Sequence, residues 1–445
     1  TFTSDGTKKV LDMHFNFDSS ALGGKTVVVC EKLTYGDYVA ATEEDMENKD
    51  QTIYFPEIHT TATDRETADH LTLADSRAVI TDTVTYTNLL KGETYTLSGV
   101  LMDKETGKEL LVDGEPVTQE MAFTAGRASG TKKLKFEFDT TGLAGKSFVV
   151  YETLTLEDVE VAEHKDINDE GQTIHIPAAQ TTATDDSSKI NVSEAKKEVS
   201  VTDTVAYRNL VPGKEYTVRG TAVDKETGEP LTDADGNELV STAKFTAASA
   251  DGSVDVKFTF DGTAMAGRSV VFFENVYYTD KLIAVHADID DEHRQSTFHS
   301  FLQVLRYKDT DSHMSLAGSD VTLTDTVAYR NLVPGKTYTI SGTLMDQRTG
   351  KAVTVNGKAV TSSADFTPDT ADGETTVDFH INTNGLDDTT VVVFEKMFYG
   401  KAEIAAHEDI NDKGQTIYIP SVKTTAIDDK TATKLTLAEK DIHIN

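Results

Sequence analysis

One string of residues returns three times along this chain, and it constrains the fold more than any figure of composition. It reads DTVTYTNLLKGETYTLSG from Asp82, DTVAYRNLVPGKEYTVRG from Asp203 and DTVAYRNLVPGKTYTISG from Asp325. The steps are 121 and 122 residues. A second block keeps the same period: VVVCEKL, VVYETL, VVFFENV and VVVFEKM place Glu31, Glu152, Glu274 and Glu395 at steps of 121, 122 and 121. Units of 20 to 50 residues would form a solenoid whose repeats cannot fold alone. About 120 residues can bury a core independently, so the chain reads as whole domains in tandem, beads on a string. Laid on that period, residues 1–57 are the closing part of a repeat and 58–178 a complete one. Residues 179–300 and 301–421 are two further copies, and 422–445 open another.

Within a repeat, apolar and polar residues alternate, as in Ile80, Asp82, Val84 and Tyr86 against Thr81, Thr83 and Thr85. That two-residue period belongs to a half-buried strand. Turn signals such as KETGK at Lys104, VDGEP at Val112 and LVPGK at Leu210 interrupt the runs. Many short strands rich in Thr, Val, Tyr and Phe predict an all-β antiparallel sandwich.

Composition excludes several function classes. The 445 residues carry 42 Lys+Arg against 75 Asp+Glu, a net charge of −33, which is unsuited to gripping a phosphate backbone and excludes nucleic acid as a partner. The single cysteine, Cys30, allows no internal disulfide and no multi-cysteine zinc site. No apolar run approaches the roughly 18 residues of a membrane helix. No metal or cofactor is expected. Because the chain opens inside a repeat, a missing export signal is uninformative about location.

Strand parity then singles out polar residues that face inward and so need a partner there. Asp82 is in phase with Ile80 and Val84, and Asp203 with Val201 and Val205. Glu152 follows Phe148 and Val150, and Glu395 follows Val391 and Val393. On the first strand Thr60 shares a face with Ile58 and Ala62, as Thr181 does with Ala179 and Ala183. On the last, Gln172 aligns with Ile174 and Ile176, and Gln415 with Ile417 and Ile419. His164 and His407 lie eight residues before those glutamines, across an irregular segment that leaves the imidazoles unoriented. Singly, each has a structural explanation; together they call for one account.

The motifs TTATD, DTVxYxNL, VVFE and HxDINDxGQT resemble those of the VaFE, or Thr-Gln ester-bond, domains of Gram-positive surface adhesins and pilus-like stalks, and they cover essentially the whole chain. The resemblance implies tandem immunoglobulin-like (CnaB-like) β-sandwiches in which a first-strand Thr and a last-strand Gln join spontaneously as an ester with loss of ammonia. It also implies an extracellular, cell-wall-anchored protein whose partners are neighbouring repeats and an unknown host or matrix ligand. Such a chain is not a turnover enzyme. Acyl transfer to a hydroxyl needs a nucleophile, a base, an acid for the leaving amine and a polarised carbonyl. In the complete repeat Thr60 would attack Gln172, His164 with Asp82 would move the proton, and Glu152 would hydrogen-bond the acyl group, with the split between Asp82 and Glu152 open. Two carboxyls in one apolar pocket should not both ionise, so one is expected to keep its proton. Linking residues 112 apart would add about 4–5 kcal/mol by the loop-entropy model.

Between the second and third repeats the pattern collapses. After His286 the chain reads HADIDDEHRQSTFHSFLQVLRYKDTD, yet His164 to Asp203 and His286 to Asp325 both span 39 residues. About sixteen residues, His293 to Lys308, lost their identity without a change in length, the mark of two compensating frameshifts in the gene or its reading. Arg294 takes the Gln position and Gln303 the Thr position of the third repeat. Thr181, Asp203, Glu274 and His286 are then expected to lack an acyl partner, and Asp325, Glu395, His407 and Gln415 a nucleophile. The leading fragment keeps Glu31 and Gln51 but has Glu43 for the histidine, and Thr424 has no domain around it. Only Thr60 and Gln172 are expected to close. Three other readings are weaker. A Lys-Asn isopeptide would need a recurrent inward lysine on the first strand, and DINDEG from Asp166 lacks the alternating acids of an EF-hand. Ligand-binding adhesin modules without cross-links are the alternative function.

Overall fold

The structure, a computed structural model, describes residues 1–233, 235–318 and 320–434. Strands make up nearly all its regular elements, and among the described residues the helical ones are two single 3₁₀ turns, Lys49–Gln51 and Glu292–Arg294. The complete repeat has eight main strands: β1 (Glu57–Asp64), β2 (Arg77–Thr87), β3 (Thr94–Asp103), β4 (Thr118–Thr124), β5 (Gly130–Asp139), β6 (Ser147–Leu156), β7 (Val159–His164) and β8 (Thr173–His175). One sheet has the order β5-β2-β1; the other runs β4-β3-β6-β7, with β8 also paired to β6. All these pairings are antiparallel. Between the sheets lies the alternating apolar set the sequence predicts, Ile80, Val84, Phe148, Val150 and Ile174, joined by Leu97, Leu134 and Phe136. Fully burying each large side chain contributes roughly 1.5–3 kcal/mol.

Each part of the recurring string has a place in this sandwich. Asp82 faces the core and Leu89 is buried in it. Tyr95 locks the turn, its hydroxyl accepting from Leu90 N at 2.8 Å, as Tyr216 does for Val211 and Tyr338 for Val333, each at 2.9 Å. The terminal Gly99 faces Glu152 across the β3/β6 ladder. A Cβ there would sit 2.7 Å from the Phe136 ring, and at the equivalent Gly342 it would meet Phe379 at 2.4 Å and Glu395 Oε1 at 2.8 Å. The glycine makes room for the buried glutamate and aromatic ring.

The second and third repeats have the same two-sheet arrangement around their own cores. The scrambled segment keeps its strands, Gln295–Phe298 and Ser300–Tyr307. Register is also kept: Gln295 opposes Val271 as Thr173 opposes Val149, and Gln303 opposes Val327 as Thr60 opposes Val84. The physical reason is that Phe301, Gln303, Leu305 and Tyr307 still alternate with outward residues, and all four are buried. Identity was lost while period survived, and the fold follows period. In the leading fragment, strands Glu31–Tyr35 and Tyr38–Glu43 pair as β6 and β7 do, with Glu31 opposite Glu43. Thr424 is exposed and outside any strand; residues 435–445 of the terminal segment lie outside the described residues.

Candidate functional site

Two edges of the sandwich meet where β1 passes β8. A backbone bond joins the sheets there, Ala62 N donating to Gly171 O at 2.9 Å. Thr60, two residues before Ala62 on β1, and Gln172, directly before β8, are thereby brought into one pocket with Asp82 of β2 and Glu152 of β6. Thr60 is 8% exposed and the other three are fully buried. Thr60 Oγ1 donates to Glu152 Oε2 at 3.2 Å, and Gln172 Nε2 donates to Asp82 Oδ1 at 3.2 Å. The hydroxyl thus rests on the glutamate and the carboxamide nitrogen on the aspartate, a finer arrangement than the sequence resolves.

The acid pair behaves as two carboxyls in one dry site should. Burial, then the neighbouring Asp82 charge, pushes Glu152 up to about 11. Asp82 rises only to about 6, because burial is offset by hydrogen bonds from Glu152 and Gln172 and by the His164 charge. Near neutral pH Glu152 holds the proton and Asp82 the charge.

His164 opposes Glu152 across the β6/β7 ladder. Its Nε2 lies 2.7 Å from Asp169 Oδ2, so that ring nitrogen donates to the carboxylate, which orients the imidazole. Strand parity misses Asp169, which lies in the irregular DINDEG segment. There the side chain also accepts from Gly171 N at 2.7 Å, while Asp166 accepts from Asn168 N at 2.9 Å. A signal was present in the sequence: Asp169, Asp291 and Asp412 recur with the period. In the leading fragment the pair changes together, with Asn48 Nδ2 donating to Glu43 Oε1 at 3.3 Å.

The third repeat repeats this geometry around a different first-strand residue. Gln415 Nε2 donates to Asp325 Oδ1 at 3.2 Å, and His407 Nε2 lies 2.7 Å from Asp412 Oδ2. Gln303, at the threonine position, donates its amide to Glu395. Burial and the Asp325 charge push Glu395 up to about 10. The pocket holds two carboxamides, and the threonine position supplies no hydroxyl.

The second repeat is the converse. Thr181, Asp203 and Glu274 are buried as their counterparts are, but Arg294 fills the glutamine position and is fully buried. Its Nη2 donates to Asp288 O at 2.8 Å, its Nε lies 3.3 Å from Asp291, and its guanidinium sits 5.8 Å from the Phe273 ring centre. Asp291 is drawn toward the arginine, and the His286 to Asp291 distance lengthens to 3.4 Å. Gln295, one place along, faces the other way and accepts from Lys225 Nζ at 3.0 Å. Glu274 is still pushed up to about 11 by burial and the Asp203 contact.

A buried hydroxyl and a buried carboxamide sharing a protonated acid and a carboxylate define a sandwich equipped for intramolecular acyl transfer. The model of the T-Q ester bond containing domain matches residues 1–55, 56–176, 177–296 and 303–419, and the chain belongs to that family. Solved structures similar to it include two crystal forms of an adhesin from Mobiluncus mulieris containing intramolecular disulfide, isopeptide and ester bond cross-links. One is 13% identical, covering 50% of this chain and 80% of that one at a TM-score of 0.25. The other is 12% identical, covering 57% and 90% at 0.25. No curated protein matches the chain.

Proposed function

We propose that this chain is part of the stalk of a bacterial cell-surface adhesin, exported and anchored to a Gram-positive cell wall, and that its complete repeat is closed by an ester between Thr60 and Gln172. Family membership supports the chemistry, and the tandem sandwiches support the stalk. In the reaction Thr60 Oγ1 attacks Gln172 Cδ and the C–N bond breaks. The hydroxyl proton leaves with the amide nitrogen as ammonia, so atoms and charge balance. Asp82, ionised and touching Gln172 Nε2, passes the proton toward the leaving nitrogen, with His164 held by Asp169 as the second base. Glu152, neutral, supplies a hydrogen bond to the oxygen that gains charge. The buried walls exclude water that would hydrolyse the product. The reaction runs once per domain and is not turnover catalysis.

The observation that carries this reading is the convergence of Thr60 and Gln172 on one buried acid pair. Intact mass of the full chain tests it: one closed ester lowers the mass by about 17 Da, one ammonia. Thr60→Ala should abolish that loss, and a parent chain at its unreacted mass would overturn the proposal. Joined first and last strands would pass tension covalently from one repeat to the next, which suits a cysteine-poor stalk.

A further inference from the structure

The joints between repeats are built from the same parts each time. The strand that closes one repeat and the strand that opens the next are separated by Phe55 and Pro56, by Ile176 and Pro177, and by His299 alone. Such connections leave no slack for a flexible linker. Across each of them reaches the asparagine of the recurring string. Asn88, Asn209 and Asn331 all adopt the left-handed conformation, with φ of 59°, 62° and 63°, which asparagine tolerates better than most side chains. Asn88 Nδ2 donates to Lys25 O at 2.8 Å, Asn209 Nδ2 to Lys146 O at 2.6 Å and Asn331 Nδ2 to Arg268 O at 3.1 Å. These acceptors are equivalent carbonyls in the preceding repeat. At the middle joint the carboxamide oxygen is also engaged, by Ser147 Oγ at 2.9 Å and His175 Nδ1 at 3.0 Å. Asn331 makes its contact although the linking segment is scrambled, so the joint does not depend on the ester motif.

A second contact runs the opposite way. After the first strand of each repeat the chain returns beside the last strand in parallel, at Leu71 with His175, Val192 with Thr297 and Met314 with Tyr418. Leu71 belongs to the apolar cluster of the second repeat and Val192 to that of the third. They are 0% and 6% exposed, whereas Met314, with no repeat seated on it among the described residues, is 59% exposed. Leu71 and Val192 thus act as apolar knobs, and Asp69 beside the first of them pairs with Lys214 and accepts from Tyr278 Oη at 2.7 Å, both in the second repeat. At the next joint Ile190 takes its place and packs against that repeat's apolar cluster.

We infer that the surface of each repeat carrying the knob and the lysine or arginine carbonyl is a docking site for the asparagine end of the next repeat of the same chain, so that consecutive repeats form one stiff rod with a fixed angle between them. The test is the distance distribution between spin labels on Lys133→Cys and Thr259→Cys in the full chain carrying Cys30→Ser, measured by double electron-electron resonance. A single narrow distribution is expected in that parent. Asn209→Gly keeps the left-handed turn but removes the carboxamide, and Leu71→Asp puts a charge in the apolar seat. Each should broaden the distribution severalfold, while the strand-type circular dichroism stays unchanged. Asn209→Gly is the milder change and remains informative if Leu71→Asp fails to fold. A broad distribution in the parent, or widths unaltered by Asn209→Gly, would overturn the inference.

Discussion

The pocket of the first repeat and that of the second differ at one decisive position. Both bury a threonine, an aspartate and a glutamate in the same register, and in both burial raises the glutamate far above its ordinary range. In the first the remaining place holds Gln172; in the second it holds Arg294. The sandwich therefore does not need the chemistry to assemble. Strand period and apolar filling carry the fold, and the reactants are passengers on it. The third repeat makes the same point with the nucleophile as the missing part.

That contrast can be broken by restoring the missing reactant. Arg294→Gln places a carboxamide beside Thr181, and Gln303→Thr places a hydroxyl beside Gln415. Each should convert an inert repeat into a closing one, with a further loss of about 17 Da in intact mass. Unchanged mass in both would mean that the pocket geometry differs in more than the missing residue.

The next largest effect is on stability. Thr60→Ala, which leaves the first repeat open, should cost about 4–5 kcal/mol by loop closure. Thr181→Ala in the second repeat, with no cross-link to lose, should cost about 1 kcal/mol. Chemical denaturation of the two variants, followed by limited proteolysis to assign the repeat that opens, separates the outcomes. Equal costs would remove the covalent link from the account.

The rate of closure sharpens the roles within the first pocket. Glu152→Gln should slow ester formation about 1000-fold and Asp169→Asn about 100-fold, followed by ammonia release after refolding. The smaller loss is expected because Asp169 acts through the His164 ring. A wild-type rate in Asp169→Asn would leave its contact purely structural.

The smallest effect is a pH slope. In the folded state Asp82 and Glu152 bind protons more tightly than their ordinary values of 3.8 and 4.5. Their contribution to stability is therefore complete below those values and is lost as pH rises, through about 6 for Asp82 and onward to about 11 for Glu152. In the Thr60→Ala chain, where all three pockets stay open, the melting temperature should fall by a few degrees between pH 4.5 and about 7. Glu395→Gln should reduce the slope. A melting temperature that rises across this window would reverse the assignment of the proton.

Much of this was legible in the sequence, for physical reasons that also mark its limits. Parity places Thr60, Asp82 and Glu152 on the inner face because strand residues have only two directions available. Gln172 falls just before its strand, yet it stays in phase with Ile174 and Ile176 and is buried with them. His164 stands out in the sequence only as a recurring residue, since the loop that orients its ring has no period. Asp169 sits in that loop, and its partnership needed coordinates. The joint was hidden for another reason: Asn209 and Leu71 make sense only when two repeats stand side by side, which no single repeat unit displays. Each repeat has its own apolar cluster, but Leu71 and Val192 of the preceding repeat enter the next one, and the one- or two-residue connections show how closely the repeats abut.

The most direct test of the central claim is tandem mass spectrometry of the proteolysed full chain. The account predicts one branched species, in which the peptide containing Thr60 is joined to the peptide containing Gln172 with one ammonia lost, while peptides carrying Thr181 and Gln415 remain linear. Linear peptides throughout, or a branch at any other pair, would contradict it.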